Sequence, residues 1–156
     1  MALNHPILAT NPEFVFRGTT YNYPGNRGSQ TVPYTCTSIN PYKAALFSIY
    51  CRNKFTDAVC YIAKTESLKF GVHPENSHGA KEEEIGWIVA PLNFYPHTMG
   101  YVTADEIRAI LRARGLVIPA VVTQPYIDEI CDITPAMDVK FIHTIVVDAL
   151  QFIKKP

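Results

Sequence analysis

The sequence predicts an α+β fold in which short, mostly antiparallel strands pack with a few helices. Short apolar segments rich in β-branched and aromatic residues, such as 13–18 and 57–64, are separated by polar loops, a pattern typical of strands. Two other segments, 40–41 and 103–106, carry the residues that begin helices. The length of 156 residues fits one compact domain, 1–156, with a single core.

Two short strands are predicted before the first helix. Residues 13–18 predict a buried strand that ends at Gly18, and residues 34–38 predict a second strand. The segment between them, 19–33, contains glycine and proline among polar residues and is interpreted as a long loop. Loops of this length in compact domains are usually functional or disordered.

The first helix is predicted from its start signal. Asn40 can cap the free amides of a helix, and Pro41 suits the first helical position. We expect this helix to run to Arg52 and a further strand to occupy 57–64.

A second polar loop, 71–81, precedes three glutamates and an apolar strand predicted over 85–90. A second helix follows, because Thr103 and Glu106 have the spacing of a capping box and Gly115 is a typical helix stop.

The C-terminal segments give weaker patterns. Residues 116–122 predict a strand that is weakened by Pro119, and residues 126–131 predict a short helix. Residues 139–153 are ambiguous, because their apolar spacing suits a helix while their β-branched run favours a strand.

Charge and cysteine usage argue against several classes of protein, although a local basic patch that binds nucleic acid stays open. Fourteen basic residues balance fourteen acidic ones, so no global charge draws the chain to nucleic acid or to an anionic membrane. The four cysteines form no C-x-x-C pair, which favours buried reduced thiols over a metal site or a disulfide framework. Without a signal peptide or an apolar run of about 20 residues, we expect a cytoplasmic protein, in its own cell or in a target cell to which it is delivered.

Three features that carry chemistry follow one another along the chain. The first strand ends in Phe16-Arg17-Gly18, and the second ends in hydroxyl-bearing residues that include Thr37 and Ser38. A polar loop then delivers Glu82-Glu83-Glu84 to the start of an apolar strand. Each feature alone is common on protein surfaces, but their order and spacing together are much more specific.

In these features the chain resembles the arginine–serine–glutamate class of ADP-ribosyltransferases, which includes cholera-toxin-like enzymes and small bacterial toxins. That family has an aromatic-Arg-Gly strand, a Ser-Thr-Ser strand followed by a helix, and a Glu-x-Glu strand. The resemblance covers about residues 13–95. Cys36 stands where the family has the first serine, so any hydrogen bond of that serine would be weaker here, or Thr35 or Thr37 would make it.

The resemblance implies two small β-sheets with flanking helices around a cleft that binds NAD, and NAD as a substrate without a metal. The nicotinamide–ribose bond would break through an oxocarbenium-like state, as in glycoside hydrolysis. A carboxylate beside the ribose stabilises that state more than the ground state, and Glu84 is the candidate. In a strand, Glu82 shares the face of Glu84 and can serve the acceptor, whereas Glu83 points away.

The planar guanidinium of Arg17 suits the pyrophosphate or ribose of NAD, and hydroxyls suit the ribose. Arg17 is therefore predicted both as a catalytic residue and as a ligand of NAD. The residues expected to contact NAD are Arg17, Gly18, Thr37, Ser38 and Tyr42.

The acceptor of the ADP-ribose stays open at this level. A protein side chain such as arginine is one acceptor, and a nucleic-acid base, bound by the loop after Gly18 and by Arg108, Arg112 and Arg114, is another. With water as acceptor the protein would be an NAD glycohydrolase, and with no turnover it would be an inactive binding module. Its small size suits a toxin or effector with a neutralising antitoxin or immunity protein as partner.

Overall fold

The computed structural model describes residues 13–20, 35–54, 57–67, 71–72, 88–90, 97–133 and 137–155. Within these ranges the strands are β1 Phe14–Thr20, β2 Thr35–Thr37, β3 Ala58–Lys64, β4 Gly71–Val72, β5 Ile88–Ala90 and β6 Gly100–Thr103. The helices are α1 Pro41–Arg52, α2 Ala104–Arg112, α3 Gln124–Ile133 and α4 Val139–Ala149, and a short 3-10 helix, Thr65–Ser67, follows β3. The predicted α+β class is confirmed.

The first sheet has the order β1-β3-β6, and both of its pairings are antiparallel. β1 pairs with β3 along its whole length, from Phe14 opposite Lys64 to Thr20 opposite Ala58. The strand therefore continues two residues past Gly18, where the sequence predicted its end. The prediction of that boundary was wrong because strand pairing, which continues through the glycine, sets the end of β1.

Both faces of this sheet are buried, which is why β3 is apolar on both sides. One face forms the main core with the helices, and its strand residues are Phe14, Phe16, Ala58, Cys60, Ile62 and Val102. The alternate residues of β1 and β3 lie on the opposite face and are also buried: Val15, Arg17, Thr19, Val59, Tyr61 and Ala63.

α1 lies directly on β1 at Gly18. A Cβ atom on Gly18 would stand 2.2 Å from the carbonyl oxygen of Ala44 and 2.6 Å from the amide nitrogen of Ser48. Both atoms belong to the backbone of α1, so neither can move without moving the helix. Because glycine has no side chain, α1 can pack this close to the sheet at Gly18.

The second sheet has the order β2-β5-β4 and is also antiparallel. Thr37 of β2 stands opposite Ile88 of β5. Gly71 and Val72, which the sequence placed in a loop, form a short edge strand here. The rest of that predicted loop, and residues 85–87 of the predicted strand, lie outside the described residues.

The second predicted helix start is confirmed, and its capping box is complete. The Thr103 hydroxyl accepts from the Glu106 amide at 3.1 Å, and the Glu106 carboxylate accepts from the Thr103 amide at 2.8 Å. The Lys154 ammonium donates to the same carboxylate at 2.8 Å. Desolvation raises the pKa of Glu106, but the hydrogen bonds from Lys154 and Thr103 outweigh it and hold that pKa below its ordinary value.

The predicted strand over 116–122 was wrong, because this segment has no strand partner. Its carbonyl groups accept instead from side chains on and just after α1 and on α2. The donor and acceptor pairs are Tyr42 with Val117, Arg108 with Ile118, Arg52 with Ala120, and Asn53 with Val122.

The ambiguous segment 139–153 begins as a helix, α4. Asp138 caps it by accepting from the Phe141 amide at 2.7 Å. Ile145, Val146 and Ala149 are buried in the main core, so the apolar spacing decided the structure over the β-branched run. The predicted short helix 126–131 is confirmed within α3.

Substituting Gly18→Ala should lower the free energy of unfolding by about 2–3 kcal/mol, because the added methyl group collides with the backbone of α1. Urea unfolding followed by circular dichroism measures the loss. The matched control is Gly115→Ala, where open space surrounds the new methyl group and only the backbone angle φ of 79° is strained. That control should lose about 1 kcal/mol. Equal losses in the two variants would contradict the packing role of Gly18.

The lowered pKa of Glu106 predicts a stability that depends on pH. A carboxylate whose pKa is lower in the folded chain adds stability above its unfolded pKa of about 4.3, and that stability is lost as pH falls through the folded pKa. Because the group is partly exposed, the gain should be below about 1 kcal/mol. Glu106→Gln should therefore flatten the decline of stability in this acidic range, measured by urea unfolding. If the free energies of unfolding of wild type and variant declined in parallel as pH falls, the Glu106 carboxylate would make no such contribution.

Candidate functional site

The two sheets meet at one backbone bridge between Phe16 of β1 and Ser38, the residue after β2. The Phe16 amide donates to the Ser38 carbonyl at 2.8 Å, and the Ser38 amide donates to the Phe16 carbonyl at 2.8 Å. Because the two segments run in opposite directions, the residue after Phe16 stands opposite the residue before Ser38. Arg17 and Thr37, both predicted as ligands of NAD, therefore come next to each other.

Arg17 lies on the sheet face that points away from α1, because its neighbour Gly18 faces the helix. The pairing of the first sheet places Tyr61 opposite Arg17 and Tyr101 opposite Tyr61. The rings of the two tyrosines are 5.5 Å apart between centroids. Thr37, Arg17, Tyr61 and Tyr101 thus form a row of polar and aromatic side chains, which we call the Arg17 row.

The Arg17 row is shielded from water over most of its length. Arg17 is 9% exposed, Tyr61 is 2% exposed, and Thr37 is fully buried. A guanidinium at such a position presents a permanent charge in an environment of low dielectric, where its attraction to an anion is stronger than in water.

Ser38 is fully buried and holds the turn from β2 into α1. Its hydroxyl accepts from the Asn40 amide at 3.0 Å and donates to the Asn40 carbonyl at 3.2 Å. This geometry gives Ser38 a structural role at the start of the helix. The role of Ser38 as a ligand of NAD stays a prediction.

Two other predicted NAD ligands have packing contacts in the structure. Gly18 lies against the backbone of α1. Tyr42, on the first turn of α1, is 7% exposed, and its hydroxyl donates to the Val117 carbonyl at 3.2 Å. Neither contact tests the predicted binding of NAD, but each contact holds its residue in a fixed position in the fold.

Glu82 and Glu84, the predicted acidic residues, lie outside the described residues. The strand that follows them, β5, pairs with β2 and sets Ile88 opposite Thr37. The chain therefore enters β5 at the end of β2 that adjoins the Phe16–Ser38 bridge.

The described thiols are not suited to nucleophilic chemistry. Cys60 is fully buried, and desolvation raises its pKa to about 12. Desolvation also raises the pKa of Cys51, against the opposing charges of Arg17 and Lys54. A thiol whose pKa is raised carries less of the reactive thiolate at neutral pH.

The arginines proposed to bind nucleic acid are partly engaged within the protein. The Arg108 side chain donates to the Ile118 carbonyl at 2.6 Å. Arg114 donates to the Ile110 and Thr144 carbonyls, at 2.9 and 2.8 Å, and forms an ion pair with Asp148 at 2.6 Å. Of the three, Arg112 is exposed and the other two are half-buried, so the structure weakens the case for a nucleic-acid surface here.

Sequence reasoning missed Tyr61 and Tyr101 as neighbours of Arg17. The alternation of β3 placed Tyr61 on one face, but the register between strands decides which residue stands opposite it. Lys43, on the first turn of α1, was also missed: it is 1% exposed, and a charged side chain is rarely so buried.

No protein-family model, curated protein or solved structure matches the chain. Across the described ranges, no three histidine, cysteine or acidic residues lie together as metal ligands would. The helices of those ranges include none with the length and apolar character needed to cross a bilayer.

Proposed function

We propose that the protein is an NAD-dependent mono-ADP-ribosyltransferase with an ADP-ribosyltransferase-like fold. The observation that carries this proposal is the Phe16–Ser38 bridge, which sets Arg17 beside Thr37 on a buried sheet face. The arginine strand and the hydroxyl strand come from separate sheets, so their meeting is a property of the fold. Two small antiparallel sheets that meet at this point also suit a cleft for a dinucleotide.

The Arg17 row supplies groups that suit NAD. The guanidinium fork of Arg17 complements two oxygens of a pyrophosphate or the hydroxyls of a ribose. Its low exposure strengthens that attraction and limits competing water. The ring of Tyr101, which is partly exposed and packs against the buried ring of Tyr61, adds flat apolar surface in the same row, of the kind that stacks on a nicotinamide or adenine ring.

Glu84 completes the proposed mechanism. It precedes Ile88 by four residues, a separation that an extended chain spans in about 14 Å. Since Ile88 stands opposite Thr37, this reach includes the region of the Arg17 row. The carboxylate of Glu84 would hydrogen-bond the ribose and stabilise positive charge as nicotinamide departs. The Glu82 carboxylate would orient or deprotonate the acceptor.

A protein side chain is the acceptor that we favour. The nucleic-acid alternative uses Arg108, Arg112 and Arg114 together with the loop after Gly18, and two of these arginines are bound internally. A Glu at the position of Glu82 goes with arginine acceptors in the family that the chain resembles. We propose a toxin or effector that acts in the cytoplasm and is held inactive by a neutralising protein.

Wild-type protein should release nicotinamide from NAD, and Glu84→Gln should reduce the rate at least about 100-fold, because the amide keeps the shape but loses the charge that stabilises the transition state. Nicotinamide release is measured with purified protein and, for transfer, with labelled NAD and cell lysate. The lysate is treated beforehand with protease or with nuclease. The treatment that abolishes labelling identifies the acceptor as protein or as nucleic acid.

The matched control is Glu83→Gln, which removes the same charge from the adjacent position and should leave the rate near that of wild type. Nicotinamide release without transfer to any treated or untreated lysate would replace the transferase with an NAD glycohydrolase. No NAD turnover at any enzyme concentration would overturn the proposed function and favour a binding module.

A further inference from the structure

A cavity of about 360 Å³ lies where β3 begins, β6 ends and α2 begins. Its volume is within the range of about 300–1,000 Å³ that small-molecule sites have. Four charged residues line it, namely Arg52, Asp57, Asp105 and Lys154. All but Arg52 are exposed, so a ligand can reach the cavity from solvent.

Both cations of this cavity already have carboxylate partners. Arg52 forms an ion pair with Asp105, and the Lys154 ammonium donates to the Glu106 carboxylate at 2.8 Å. The remaining charge is Asp57, whose carboxylate has no hydrogen bond or ion pair with any residue that the structure describes. The cavity therefore has one unpaired negative charge, which attracts a cation and repels an anion.

The C-terminal segment fixes the wall of the cavity that carries Lys154. The backbones of Tyr101 and Lys154 exchange two hydrogen bonds, at 2.8 and 2.9 Å. Gly100 permits this contact, because its φ is 134° and a Cβ atom there would stand 2.2 Å from the Lys154 carbonyl oxygen. Since Lys154 is held in this way beside Glu106, its ammonium does not neutralise Asp57.

The cavity adjoins the Arg17 row through Tyr101, which belongs to both. Arg17 and Tyr101 lie two strands apart in one sheet, and neighbouring strands are about 4.8 Å apart, so their backbones are separated by about 10 Å. An extended peptide covers this distance in about three residues. A protein that presents one side chain to the proposed NAD site can therefore place a nearby side chain in the cavity.

We propose that the cavity binds a guanidinium side chain of the acceptor protein, close to the residue that receives ADP-ribose. This assignment rests on the proposed function and names a recognition site for its protein acceptor. A guanidinium is always charged, is more weakly hydrated than an ammonium, and can donate two parallel hydrogen bonds to a carboxylate such as that of Asp57. Its flat face also packs on aromatic rings, and Tyr101, which lines the cavity, is partly exposed.

The first readout is the binding of agmatine, a short alkyl guanidinium, to the full chain, followed by NMR. Agmatine should shift the amide signals of lining residues such as Ala58, Val59 and Thr103. Asp57→Asn keeps the shape but removes the charge, so it should weaken binding at least about threefold. Because Asp57 is exposed, the variant should melt near the wild-type temperature.

The matched control is Glu129→Gln, which removes the same charge from an exposed residue of α3 and should leave the affinity for agmatine unchanged. Equal binding by wild type and Asp57→Asn, or no shift at the lining residues, would overturn the inference. If sodium phosphate shifted these signals and agmatine did not, the cavity would be an anion site and the inference would also fail.

The second readout connects the cavity with the acceptor. Two synthetic peptides, one with a single arginine and one with a second arginine three residues away, are compared as acceptors of labelled ADP-ribose. For wild type and Glu129→Gln, the second arginine should raise the transfer rate beyond the twofold that two sites give by number. For Asp57→Asn, this additional gain should be lost.

The failures of the two proposals can be told apart. If wild type releases nicotinamide and binds agmatine in the cavity, but the second arginine brings no additional gain, the assignment to the acceptor fails and the proposed function stands. If wild type binds agmatine through Asp57 but releases no nicotinamide from NAD, the proposed function fails together with the acceptor assignment, while the guanidinium site remains.

Discussion

Two backbone hydrogen bonds between Phe16 and Ser38 hold the candidate site together. They join the edge of one sheet to the end of a strand in the other, and they fix where α1 starts. Because a strand bridge allows only one register, the same bonds determine that Arg17 adjoins Thr37. Without the bridge, the arginine strand and the hydroxyl strand would be parts of two separate small sheets.

Side chains alternate between the two faces of β1, so the residues that pack against α1 are separated from the residue that belongs to the candidate site. Gly18 and Phe16 face α1, where close packing leaves no space for ligand. Arg17 faces the other way, toward Tyr61 and away from the helix. The glycine thus lets the helix approach closely, while its neighbour Arg17 lies on the opposite face of the sheet.

Local signals predicted the helices well. Asn40 and Thr103 cap their helices through atoms only a few residues away, so the sequence contains the whole interaction. Interactions between distant residues were not predictable in this way. The segment 116–122 has a strand-like sequence, but donors such as Tyr42 and Arg108 satisfy its carbonyls, and only the fold brings them there.

In the candidate site, too, some features were predictable from the sequence and others depended on contacts between distant residues. The family resemblance placed Arg17 and Thr37 in one predicted NAD site, and the strand bridge brings the two residues side by side. The resemblance did not predict the tyrosines of the Arg17 row, since their positions depend on strand register. Nor did it predict that Lys43, on the first turn of α1, is buried to 1% exposure, since that depends on what packs around the helix.

We propose that the Arg17 row binds NAD for cleavage. The most direct test compares NAD turnover by wild type, Arg17→Lys and Arg112→Lys, with melting temperatures measured alongside. Lysine keeps the charge of Arg17 but loses its planar fork, so folded Arg17→Lys should turn over NAD at least about tenfold more slowly. The exposed Arg112→Lys should match wild type. Equal turnover by all three proteins, or none by wild type, would contradict the account.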